Sequence, residues 1–146
     1  MEPTSTVSLH SNEIYIKNCL FTVAGASNAV EAKIISFDLK LTTVSFTFSD
    51  MLPMGKGILK ISFQCALNNQ MSGFYRSGYK TVDGEAGIMA STQFEALDAR
   101  RCFPCWDEPA RKAMTVVIPK DRMAFSNMPE RAVTHLPGGK SKGIEF

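Results

Sequence analysis

Ile34-Ile35-Ser36-Phe37-Asp38-Leu39-Lys40-Leu41-Thr42-Thr43-Val44-Ser45-Phe46-Thr47-Phe48 decides the fold class of this chain. Ile35, Phe37, Leu39 and Leu41 alternate with polar residues, then Val44, Phe46 and Phe48 alternate in the opposite phase. Side chains that point to opposite sides of a strand in turn produce this period of two. The phase change at Thr42-Thr43 predicts a tight turn or bulge, because a one-residue slip swaps the two faces.

The same period runs outward in both directions. Ile14 and Ile16 alternate with Glu13, Tyr15 and Lys17, and Leu59, Ile61, Phe63 and Cys65 alternate with Lys60, Ser62 and Gln64. Gly25-Ala26-Ser27-Asn28 and Pro53-Met54-Gly55-Lys56-Gly57 carry turn chemistry between these runs. Further strands are expected from Ile88 to about Glu95, over Val116–Ile118 and over Met123–Phe125, with a hairpin turn at Pro137-Gly138-Gly139. Asn68 to Gly84 reads as a longer irregular segment, and Ala96–Arg101 as a short helical turn. With no long amphipathic pattern in competition, the expected fold is all-β, an antiparallel β-sandwich or saddle-like sheet forming one domain over residues 1–146.

Bulk properties exclude several functions. The chain has 146 residues and a net charge of +2, with its basic residues scattered, which gives no footprint for nucleic acid. Phe74-Tyr75-Arg76 and Tyr79 are an aromatic and basic group, read as a packed loop rather than a base-stacking surface. No apolar run approaches the roughly 18–20 residues that span a bilayer, so no membrane partner is expected. The first residues carry no basic stretch followed by an apolar core, which predicts an intracellular, cytoplasmic setting.

Thr92-Gln93-Phe94-Glu95-Ala96-Leu97-Asp98-Ala99-Arg100-Arg101-Cys102-Phe103-Pro104-Cys105-Trp106-Asp107-Glu108-Pro109 concentrates the chemistry. In an extended segment Gln93 and Glu95 share a face, and two polar groups there need solvent or a partner. Asp98, Arg100, Arg101, Asp107 and Glu108 lie among Phe103, Pro104 and Trp106, a composition that suits an ion-pair knot fixing an irregular loop. Cys102 and Cys105 form a C-x-x-C that admits a redox or half-zinc reading. Cys19 and Cys65 are isolated in sequence, and His10 and His135 sit in no ligand-like spacing, so two small buried hydrophobes are the expectation.

This run resembles the signature of the N-terminal domain of the gluzincin zinc aminopeptidases, most nearly their puromycin-sensitive branch. Leu67 to Ser77 and Pro119 to Met128 are similar to the same family, in the same order. The resemblance implies that Glu95 binds the substrate's free α-ammonium and that Gln93 lines the pocket for its first side chain. It implies zinc in the complete enzyme, held by a following catalytic domain of the same or a related polypeptide. The chain has no H-E-x-x-H, so neither a catalytic residue nor a metal ligand is assigned to it, and it is expected to be inactive alone. Its implied partners are peptides with a free N-terminus.

The alternative is a stand-alone, non-catalytic module that binds peptides or docks on a partner. Compared with the family, both ends look cut within a sheet, and a few residues are absent between Lys112-Ala113 and Pro119-Lys120.

Overall fold

Val44, Phe46 and Phe48 line up on the buried face of a ten-residue strand, as their alternation predicts. The computed structural model describes residues 3–108 and 114–146. Of the stretch expected to be shortened, Lys112-Ala113 lie outside the described residues and Met114 to Lys120 within them. The chain divides into two compact units, Met1–Asp107 and Glu108–Phe146. All regular structure among the described residues is strand, apart from one 3-10 turn at Ala99–Arg101.

In the first unit, β1 (Thr4–His10), β4 (Ile34–Asp38) and β5 (Thr43–Leu52) form an antiparallel sheet in the order β1-β5-β4. A second sheet has the order β3-β2-β6, from β2 (Ile14–Val23), β3 (Ala29–Glu31) and β6 (Gly57–Cys65). The core lies between them. Leu9, Val44, Phe46, Phe48 and Leu52 from the first sheet meet Ile14, Ile16 and Cys19 from the second, with Leu59 and Ile61 packed alongside. Phe21 crosses to Phe48 edge-to-face, ring centroids 6.1 Å apart. On the other face of the first sheet, Ser8 and Ser45 hydroxyls bond at 2.8 Å and Thr6 and Thr47 at 3.2 Å.

Two irregularities refine the alternation. A bulge between Ile16 and Asn18 resets the phase of β2, so Ile14 and Ile16 are followed inward by Cys19. Of the expected inward row of β4 only Ile35 is partly buried; Phe37 is about half exposed, and Leu39 and Leu41 do not continue the row. Asp38 ends that strand by accepting the N–H groups of Lys40 and Leu41 on one carboxylate oxygen, and both leucines lie exposed in the turn. That turn closes through Thr42 at φ +52°, as the phase change requires.

The segment expected to be irregular from Asn68 to Gly84 contains a strand. β7 (Gly73–Lys80) pairs with β8 (Ala86–Gln93) over eight residues, from Gly73 opposite Gln93 to Lys80 opposite Ala86. Its glycines and the exposed Tyr79 hid the period, because the hairpin buries little on either face.

In the second unit, β9 (Thr115–Pro119), β10 (Ala132–His135) and β11 (Ser141–Glu145) form a sheet in the order β10-β11-β9. Gly138 (φ +90°) and Gly139 (φ +65°) make the expected hairpin turn. Met123–Phe125 is not a strand: Arg122 N–H turns back to Pro119, Ser126 accepts from Met128 N–H, and the three residues have no ladder partner. They line an open groove of about 430 Å³ with Met128, Val133 and Ile144.

Phe46 is fully buried at the centre of the core. Phe46→Ala is expected to lower unfolding free energy by about 3–5 kcal/mol in urea titration followed by circular dichroism. Leu39→Ala, on the exposed turn, should stay within about 0.5 kcal/mol.

Candidate functional site

β8 ends at Gln93, and the next residues fold back at once. Asp98 N–H donates to the Phe94 carbonyl at 3.0 Å, closing a turn that contains Glu95. The 3-10 turn follows, with Arg101 N–H on Asp98 and Cys102 N–H on Ala99. Ala99 is buried under the coil. Phe94 packs edge-to-face on Phe103, centroids 5.8 Å apart and planes at 88°. The segment then reaches β1, where His10 and Cys105 exchange both backbone hydrogen bonds (2.8 and 3.1 Å).

Asp98, Arg100, Arg101 and Asp107 form the expected knot, with partners the local sequence did not reveal, while Glu108 is exposed and in none of its ion pairs. Arg100 Nε donates to Asp107 Oδ2 at 2.9 Å, with side chains only 12% and 8% exposed. A second nitrogen of Arg100 reaches the Thr42 hydroxyl at 2.8 Å. Arg101 Nε holds Asp98 at 3.0 Å, and its Nη1 holds Glu13 at 2.6 Å. The backbone N–H of Asp107 donates to His10 Nδ1 at 3.1 Å, and Asn12 N–H donates to the Arg100 carbonyl. The β1–β2 turn and the β4–β5 turn are thereby tied to the 98–107 segment. Glu13, Thr42 and His10 lie far from that segment in sequence, and no local pattern marks them. Glu13 sits at φ +59°, which turns its side chain out of the strand alternation.

Gln93 and Glu95 are both exposed, and neither side chain has a hydrogen-bond or ion-pair partner among the described residues. The strand expected to run to about Glu95 stops at Gln93, and Glu95 lies in the turn beyond it. The Glu95–Ala96 peptide is cis. Glu95 is therefore a solvent-facing carboxylate on a braced turn, while Asp98, Asp107 and Glu13 are each engaged by arginine. A second groove of about 430 Å³, between Ser11–Ile16 and Phe37–Thr43, includes neither residue.

Cysteine chemistry is quiet. Burial pushes the Cys102 thiol up to about 11, with Cys65 and Cys105 nearby adding to the effect. Burial alone pushes Cys19 up to about 11 and raises Cys65. All four cysteines are free, and the Cys65 thiol points to the Cys102 carbonyl at 3.8 Å. Zinc needs thiolate, imidazole or carboxylate ligands converging on one point. Among the described residues no three such groups converge, and burial raises the Cys65 and Cys102 thiols. The described residues do not fit the zinc that the resemblance implies for the complete enzyme.

The comparisons agree with the signature segment. The family model of the Peptidase M1 N-terminal domain matches residues 1–146, and the chain belongs to that family. It is 50% identical to Aminopeptidase M1 of Arabidopsis thaliana over 113 residues, which is 75% of this chain and 13% of the relative. It is 37% identical to Aminopeptidase 2 of Candida albicans over 145 residues, 97% of this chain and 15% of the relative. The puromycin-sensitive aminopeptidase of Caenorhabditis elegans is 36% identical over 150 residues, covering 99% of this chain and 16% of its own length. The chain thus spans a small part of each of these relatives.

Removing Asp107 would strand the enclosed Arg100 charge. Asp107→Ala is expected to cost about 3–5 kcal/mol in urea unfolding. Glu13 is 62% exposed, and Glu13→Gln should cost about 0–1 kcal/mol.

The thiols set an alkaline limit. A thiol whose folded pKa lies above its ordinary value of 9.0 stabilises the fold fully below pH 9 and loses that contribution as pH rises toward 11. Urea midpoints should fall across that window, and less steeply in the Cys19→Ala, Cys102→Ala double variant.

Proposed function

We propose that this chain supplies the amino-terminal anchor for substrate in a zinc-dependent aminopeptidase acting on peptides. Glu95 pairs with the free α-ammonium, and Gln93 lines the pocket for the first side chain. The supporting observation is the state of the carboxylates: among those in the 94–107 segment and its partner Glu13, Glu95 is exposed and unpaired while the others are engaged by Arg100 or Arg101.

An α-amino group with pKa about 7.7–8.0 is mostly protonated at pH 7 and pairs with a carboxylate. A fixed carboxylate then favours a chain terminus over an internal peptide bond. It also sets how far the first scissile bond lies from the reacting centre. Membership of the Peptidase M1 N-terminal domain family supports the same reading. On this proposal the zinc and its ligands belong to a catalytic domain of the same or a related polypeptide, in a cytoplasmic setting. Peptides with free N-termini are the partners, and neither nucleic acid nor membrane takes part.

The test is calorimetry on the 146-residue chain with one peptide in free-amine and N-acetylated forms. The free amine should bind more tightly. Glu95→Gln should erase a preference of roughly 10–100-fold, the range for hydrogen bonds to charged groups. Equal affinity for the two forms, or no binding at millimolar peptide, overturns the anchor role. No hydrolysis of aminoacyl substrates is expected from this chain, and turnover abolished by Glu95→Ala would contradict its assignment as a non-catalytic part.

A further inference from the structure

We propose that Arg101 is the positioning residue of the Gln93–Glu95 site, an inference that rests on the anchor reading above. Arg101 meets both arms of that site. On one side it sits on Gly73, the residue opposite Gln93 in the β7–β8 ladder. A β-carbon on Gly73 would fall 2.5 Å from Arg101 Cβ and 3.2 Å from the Asp98 carbonyl, so β7 begins in direct contact with the 3-10 turn. Gly73 also holds φ +69°, which a side chain would disfavour.

On the other side, Arg101 Nε holds the Asp98 carboxylate at 3.0 Å, and Arg101 N–H donates to the Asp98 carbonyl at 3.1 Å. Asp98 N–H in turn closes the turn on Phe94 that carries Glu95. One side chain thus reaches both places: its stem packs at Gly73, opposite the end of β8, and its guanidinium holds the turn beyond. Its remaining arm on Glu13 anchors that assembly to the β1–β2 turn.

The arrangement also sorts charge. Asp98 lies three residues from Glu95, and without a cation it would compete for a ligand's ammonium. Arg101 engages Asp98 and Glu13 together, leaving Glu95 free as an acceptor. A planar fork suits this task, because it holds two carboxylates in fixed directions where a lysine offers a single point charge.

The experiment compares Arg101→Met, Arg101→Lys and Glu95→Gln in the full chain. Methionine keeps an apolar stem against Gly73 and removes the fork. Two readouts are taken on the same samples: amide exchange at Asp98, and the affinity ratio between free-amine and acetylated peptide. Arg101→Met should speed Asp98 exchange and reduce the peptide ratio, each about tenfold, the loss expected for one charge-assisted bond. Arg101→Lys should restore part of both, with urea midpoints separating local loosening from global destabilisation. Unchanged Asp98 exchange in Arg101→Met overturns the positioning role, whatever the peptide data show. A ratio that Glu95→Gln abolishes and Arg101→Met leaves intact also overturns it, with the anchor reading standing. A ratio untouched by Glu95→Gln fails the anchor reading itself and leaves Arg101 a purely structural residue.

Discussion

A guanidinium withdrawn from water must find acceptors, and Arg100 finds them in Asp107 and Thr42. Desolvating both charges is unfavourable, and only close hydrogen-bonded geometry offsets it. The route of the chain from β8 to Asp107 follows from that requirement. The backbone must coil at Ala99 to aim Arg100 inward, then return along β1 so that Asp107 arrives from the opposite direction. His10 completes the return by pairing with Cys105 and accepting the Asp107 N–H. An irregular segment, which has few ladder bonds of its own, acquires a single path.

The core beneath the knot is built differently. Val44, Phe46, Phe48 and their counterparts on β2 need only be apolar and of suitable size to be driven together. That packing is tolerant of detail, as the bulge in β2 shows: an extra residue is absorbed and the next inward side chain becomes Cys19. The ion pairs of the first unit, among the described residues, lie in the loops, where they fix which residues face solvent. A packed core beneath and an exposed carboxylate at Glu95 are what the proposed anchor draws on.

The two arginines have separate tasks. Arg100 is enclosed and ties three segments of the first unit together. Arg101 is nearer the surface and holds Asp98 and Glu13. Exchange of their roles is blocked by the pitch of the 3-10 turn, which sends consecutive side chains in different directions.

Strands with an inward apolar face were legible in the sequence by their period of two: β2, the start of β4, β5 and β6. Their phase depends only on local covalent geometry and on the tendency of apolar groups to leave water. β7 was not legible, because a hairpin that buries little on either face shows no alternation. Leu39 and Leu41 misled for a related reason, since Asp38 captured two backbone N–H groups and ended the strand before them. The signature from Thr92 to Pro109 identified the family and singled out Gln93 and Glu95. Tertiary structure alone decided that Glu95 lies beyond the strand, that Glu13, Thr42 and His10 complete the knot, and that Gly73 seats Arg101. The physical reason is distance along the chain. Arg101 and Glu13 are 88 positions apart, and such partners meet only after the two sheets have packed and brought their turns together.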